Sequence, residues 1–213
     1  TNGVMSITDR LMVLSNRVAT KVAAKHPDLP LGLLAYAQYI RAPVREKLHP
    51  SIVPVIAPIA FNRFHPMTDD AVPGNKDVRR LVEGWGKMSK MTAAYYYAFN
   101  LAETSAPAPL LTKWAVDLPI LYKNGCKFWT PETMPNFDVM MHALHLGNRM
   151  AWDPSQKPAD IYADLDTKFY GAAAQQMTAY WTFVDDVWVK TPEYSGCVFG
   201  YMRRWTPERL AKA

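Results

Sequence analysis

Between residues 8 and 152 the chain alternates two hydrophobic rhythms. Apolar residues recur at helical spacing over 8–25, where Leu11, Leu14, Val18 and Val22 form one stripe. Thr8 or Asp9 is the expected cap of that helix and His26-Pro27 its stop. Unbroken apolar runs follow at 31–38 (LGLLAYAQ) and from residue 53 (VPVIAPIAF), with the length and content of buried strands. Pro43 and Pro50 make 40–51 a loop. The helical period returns at 76–89 through Val78, Leu81, Val82 and Trp85, with Gly84 and Gly86 weakening its end. A tyrosine-rich strand is expected at 91–99. The next helix has Pro107 and Pro109 in its first turn, Trp114, Leu118 and Leu121 on its buried face, and Asn124-Gly125 as its stop. A fourth strand at 126–129 leads to a helix capped by Asn136. Beyond Trp152 the pattern is helical only, at 158–169, at 171–190 and from Thr206-Pro207-Glu208.

Strands alternating with helices at this spacing predict an α/β fold with a parallel sheet and crossover helices. A closed barrel needs eight strands, and four are in view. The expectation is therefore the C-terminal half of a (β/α)8 TIM-type barrel over 1–152, with a helical extension over 153–213 packed on it. An upstream half of the same protein, or another chain, would complete the barrel. The alternative is a small open α/β sheet complete in itself.

Composition narrows the classes further. The chain has 213 residues, 49% of them apolar, enough for one sizeable core. The net charge of +5 is scattered, with basic runs no longer than the pairs Arg79-Arg80 and Arg203-Arg204, so no nucleic-acid partner is expected. No apolar run reaches the roughly 18 residues of a membrane span, and the first residues lack the charged and apolar regions of a signal peptide. Cys126 and Cys197 leave one disulfide open and do not form a zinc motif. His142 and His145 lie three apart without an acid at ligand spacing, so no metal is expected. Without a phosphate loop or dinucleotide fingerprint, no cofactor is expected either.

The chemistry concentrates where strands are expected to end. After the apolar run from 53 come Asn62, Arg63, His65, Asp69 and Asp70, and loops leaving the carboxyl ends of parallel strands line the ligand crevice. Glu132, beyond the fourth strand, is the first candidate for a catalytic carboxyl. The alternative for Glu132 is a helix N-terminal acid or a surface loop residue. Asp69, Asp70 and Glu103 are weaker candidates. Arg63 and His65 suit the hydroxyls or carboxylate of a ligand, or else serve the loop, Arg63 by pairing with Asp69 or Asp70. Asn62 and Asn75 offer amide hydrogen bonds or shape the turn. Tyr36, Tyr96 and Trp129 present flat faces for stacking on a ligand ring. Tyr95 and Tyr97 must face away from Tyr96, and some of these rings must pack between sheet and helix instead.

These features resemble a known bacterial family. Its carriers are LLAYAQYIRAPV at 33–44, NRFHPMTDDAVPGN at 62–75, Trp85, the tyrosines at 95–97, Trp152-Asp153-Pro154, and Phe169-Tyr170-Gly171-Ala172-Ala173 followed by Met177 and Tyr180. On them the chain resembles the DUF4838 family, a glycoside-hydrolase-like barrel domain similar in outline to α-glucuronidases and hexosaminidases. One departure is the TDDAVPG segment, where family members often carry cysteine. The resemblance implies a carbohydrate substrate or ligand, neutral or acidic, and an extracytoplasmic or secreted setting. It also implies earlier barrel strands upstream, where a second carboxyl would lie. The expected activity is hydrolysis of a glycosidic bond; the alternatives are a non-catalytic glycan-binding barrel and a structural or assembly subunit.

Overall fold

The structure, a computed structural model, describes residues 6–191 and 198–213. Its elements run α1 (Ile7–Ala23), β1 (Leu31–Tyr36), β2 (Ile52–Ala57), α2 (Asn75–Met88), β3 (Thr92–Tyr97), α3 (Leu111–Lys123), β4 (Cys126–Glu132), α4 (Phe137–Trp152), α5 (Pro158–Tyr170), α6 (Ala174–Val189), α7 (Val198–Arg204) and α8 (Pro207–Lys212). The fold is α/β. One sheet carries the strands in the order β1-β2-β3-β4, with β1 parallel to β2 and β2 parallel to β3. The amide of Thr92 donates to Gly125 and that of Ala98 to Glu132, so β3 and β4 advance together and their pairing is parallel as well.

The chain divides into two compact units. The first comprises the residues up to Phe61, Asp77–Tyr96 and Leu121–Thr130; the second comprises Asn62–Lys76, Tyr97–Ile120 and the residues from Pro131 onward. In the first unit Met12, Ala35, Ile56 and Trp85 form a buried cluster that joins α1 and α2 to one face of the sheet. The Trp85 indole donates to the Ile40 carbonyl at 2.7 Å, so the ring is both packed and satisfied. Gly86 closes α2 against the end of α3, because a Cβ there would lie 2.6 Å from the Asn124 carbonyl oxygen. The glycine expected to weaken α2 is thus required by close packing.

Several local expectations are corrected. The cap of α1 is Ser6, whose hydroxyl accepts from the Asp9 amide, rather than Thr8 or Asp9. The buried side of α1 carries Thr8, Asp9, Met12 and Ala19, while Leu14 is 62% exposed and Val18 half-exposed. Polar contacts decide this rotation. Asp9 Oδ1 accepts from the amides of Val44, Arg45 and Glu46, each at 3.0 Å. One turn-pair further on, Asn16 accepts from the His49 amide and donates to the Lys47 carbonyl. Leu14 and Val18 are left facing outward, while Leu11 packs against the core cluster and the polar side of α1 holds a loop without secondary structure. Burial pushes the Asp9 carboxyl up, but the three amides and Ser6 outweigh it and bring it down to about 2.

Other boundaries move for simpler reasons. β2 stops at Ala57, so Ile59, Ala60 and Phe61 belong to the turn after it. Pro107 and Pro109 precede α3 rather than occupying its first turn. β4 runs through Pro131 to Glu132, because an edge strand tolerates a residue without an N–H. Asn136 stands at the N-cap of α4 but makes no capping bond; its Nδ2 donates to Ser105 Oγ. The 171–190 helix opens as a 3-10 turn over Gly171–Ala173 before α6. Thr206 caps α8 as expected, accepting from the Arg209 amide. In the second unit α5 packs against both α4 and α6. Cys126 is a free thiol, and Cys197 lies outside the described residues.

Candidate functional site

The second unit contains the loop after β2, the end of β3 and the last residues of β4, and these hold most of the expected site. The loop at 62–75 has no regular structure, yet Phe64 and Met67 are as buried as any core residue. Phe64 stacks on Trp188 of α6 with ring centroids 4.1 Å apart. A loop that buries two large apolar side chains must satisfy its backbone internally, and its polar residues do that work.

His65 and Asn75 are spent on the fold. The His65 ring is 1% exposed, with Nδ1 2.9 Å from Asp69 Oδ2 and Nε2 2.8 Å from the Thr191 carbonyl. Both ring nitrogens are engaged, which leaves none for a sugar hydroxyl. Asn75 is equally buried and donates from Nδ2 to the carbonyls of Pro66 and Asp69, at 2.7 and 2.9 Å. Together these bonds staple the loop closed. Asp69 is the partner of His65 rather than of Arg63, and it also accepts from the Ala71 amide.

A buried ion pair extends the staple into α3. Lys113 Nζ lies 2.7 Å from Asp117 Oδ2, one helical turn away, and also donates to the His65 carbonyl at 2.8 Å. The other Asp117 oxygen accepts from the Met67 amide at 2.8 Å. Asp185 of α6 accepts from the Leu111 and Thr112 amides, so a carboxylate from another helix caps α3. Burial pushes the Asp185 carboxyl up against the opposing pull of those donors. Sequence spacing gives an i, i+4 Lys-Asp pair in α3 but nothing that ties it to the loop at 65–67.

Asn62, Arg63 and Asn100 are different. Asn62 Oδ1 accepts from the amides of Phe64 and His65, at 2.9 and 3.0 Å, forming a turn about its own side chain. Asn100, just past β3, does the same with the Ala102 amide at 3.0 Å. In each case the oxygen is fixed by backbone donors, so Nδ2 must point the other way. The two residues are 8% and 0% exposed, and neither Nδ2 has an acceptor among the described residues. Arg63 is 5% exposed and its guanidinium lies over the Tyr97 ring, 5.9 Å from the centroid, which ties the loop after β2 to the end of β3.

Glu132 closes β4. Its carbonyl accepts from Ala98, placing the residue level with the end of β3, and its side chain is half-buried. No ion pair engages the Glu132 carboxyl among the described residues. Glu103 turns inward on its own loop and accepts from the Ser105 amide.

The remaining expected residues belong to the first unit. Tyr36 is half-buried at the end of β1, in register with Ala57. Ala94 pairs with Ile56, a member of the helix-facing cluster, so alternation puts Tyr96 on that same face. Tyr96 is buried there against Trp129, with ring centroids 5.3 Å apart and a 46° tilt. Tyr96 is thus covered, and Trp129, the ring packed against it, is half-buried. The tyrosine that meets the polar loop is Tyr97, on the opposite face. The period of two shows that Tyr96 and Tyr97 differ, but not which one faces the helices.

In the helical part His142 is buried, with Nε2 2.8 Å from Asp166 Oδ1, while Asp166 Oδ2 accepts from Thr178. Burial lowers the His142 pKa, against the pull of Asp166. No cluster of three or more His, Cys, Asp or Glu side chains suited to a metal occurs among the described residues. Nor is any helix among them long and apolar enough to cross a membrane.

No curated protein and no solved structure matches the chain. A family model does: the one described as a domain of unknown function, DUF4838, matches residues 2–182. On that match, which takes in the sheet, the polar loop after β2 and most of the helical part, the chain belongs to the DUF4838 family.

Proposed function

We propose that this chain is the C-terminal half of a (β/α)8 barrel whose strand ends bind a carbohydrate, and that it takes part in hydrolysis of a glycosidic bond. The observation that carries the reading is that the buried, unmatched donors of Asn62 and Asn100 follow the carboxyl ends of the neighbouring strands β2 and β3, while the half-buried carboxyl of Glu132 stands at the end of β4. Hydroxyl and carboxylate oxygens of a sugar are acceptors for such donors, and Glu132 supplies an acid or base at the same level of the sheet. The barrel reading follows from four parallel strands with β1 and β4 as open edges among the described residues. The upstream half of the protein, or another chain, would pair with those edges.

One observation favours a second reading. Glycosidases use two carboxyl groups, whereas Asp69, Asp117 and Asp185 are committed to His65, Lys113 and the start of α3. Either the second acid is Asp70, Glu103 or a residue that completes the barrel, or the chain holds a glycan without cleaving it. Release of reducing ends from a panel of neutral and uronic-acid oligosaccharides, with Glu132→Gln assayed beside the natural chain, separates these. Hydrolysis predicts turnover that falls roughly a hundredfold or more in the variant, the scale of a lost general acid or base. Turnover equal in both removes Glu132 from the mechanism. Saturable binding with no turnover in either establishes the glycan-binding reading.

A further inference from the structure

Asn100 carries no role in the pattern of strands and helices, and its position says that it should have one. It is fully buried, its Oδ1 is held by the Ala102 amide, and its Nδ2 lacks an acceptor among the described residues. Leaving a buried amide donor unmatched costs on the order of 1–3 kcal/mol, so the group calls for an acceptor, and a bound ligand supplies one. Asn62 repeats the arrangement at the end of the neighbouring strand, with two backbone donors on its oxygen and the same unmatched nitrogen. Because the oxygens are pinned by N–H groups, an exchange of oxygen and nitrogen is ruled out at both residues: it would place donor against donor.

The two amides therefore present only donors. A sugar hydroxyl both donates and accepts, so a site for hydroxyls mixes the two kinds of group. A set made only of donors matches an oxygen group that only accepts, as a carboxylate does. We infer that Asn100 and Asn62 are substrate-binding residues whose Nδ2 groups donate to the carboxylate of an acidic sugar. This rests on the reading of the strand ends as a carbohydrate site, and it names the class of sugar and a residue of the site.

Calorimetric titration of the full chain with a galacturonic-acid trisaccharide and with the matching galactose trisaccharide tests it. The natural chain is expected to bind the acidic sugar at least roughly tenfold more tightly than the neutral one, the scale of a charged hydrogen bond. Asn100→Ser and Asn62→Ser keep a hydroxyl for the turn and remove the donors. Each should weaken the acidic sugar roughly tenfold and leave the neutral one within about twofold. Asn100→Asp keeps the shape and the turn oxygen but opposes a carboxylate, and it carries the test if the serine variant does not fold; it should abolish binding of the acidic sugar. Equal affinity for the two sugars, or acidic-sugar affinity unchanged in the Ser and Asp variants, overturns the inference while the carbohydrate site stands. Binding of neither sugar by the natural chain overturns both.

Discussion

Asn62 and Asn75 begin and end the same stretch of chain, are both buried, and are put to different use. Asn75 spends both N–H groups on carbonyls within its own loop. Asn62 spends its oxygen and keeps its nitrogen unmatched among the described residues. The first is what a fold does with an amide it needs for shape. The second is what remains when a loop has been shaped and a donor is still presented. The same contrast separates His65, engaged at both nitrogens, from Asn100. Polar residues bunched after a strand are thus not one class: most build the platform, and those left with unmatched atoms are the ones to examine for binding.

The sharpest way to break the contrast is to remove a group that serves the platform alone. Asp117→Ala leaves Lys113 charged and buried and frees the Met67 amide; chemical denaturation should show a loss of about 3–5 kcal/mol, the scale of a broken buried pair. Asn75→Ala strips two buried carbonyls of their donor and should cost about 2–3 kcal/mol by the same measurement.

Asp9 offers the comparison in the other unit, as a carboxylate spent wholly on three loop amides. Its folded pKa of about 2 lies below the ordinary 3.8, so its stabilisation is complete above about pH 4 and is lost as pH falls through about 2. The stability gap between the natural chain and Asp9→Ala, about 2 kcal/mol near neutral pH, should narrow across that window. The smallest effect should come from Asn100→Ser. It removes an unmatched atom and keeps a turn oxygen, so stability should stay within about 1 kcal/mol. A loss as large as that of Asn75→Ala would make Asn100 a platform residue and collapse the contrast.

The architecture was legible because its signals are local. Apolar runs give all four strands, the stripe of Val78, Leu81, Val82 and Trp85 gives α2, and Asn124-Gly125 ends α3 where the turn takes a positive φ at Gly125. What was not legible depends on distant partners. The outward stripe of α1 is decided by the loop at 44–49, which Asp9 and Asn16 must hold. Glu132 lies inside a strand because β4 is an edge, and an edge cannot be read from four residues ending in Thr130-Pro131. In the candidate site, Asn62 and Arg63 stand out in the sequence by type and place. Asn100 does not, since its signal is an acceptor missing around a buried nitrogen. The misplacement of Tyr96 has the same origin, because only the register with Ile56 says which tyrosine faces the helices.

The most direct measurement is of the side-chain amide resonances of Asn62 and Asn100 in the nitrogen-15-labelled chain, titrated with the galacturonic-acid trisaccharide. Binding at the strand ends predicts saturable shifts of both NH2 pairs, while the Asn75 pair, already bonded to Pro66 and Asp69, holds its position. Saturable shifts elsewhere with the Asn62 and Asn100 pairs unmoved would contradict the account.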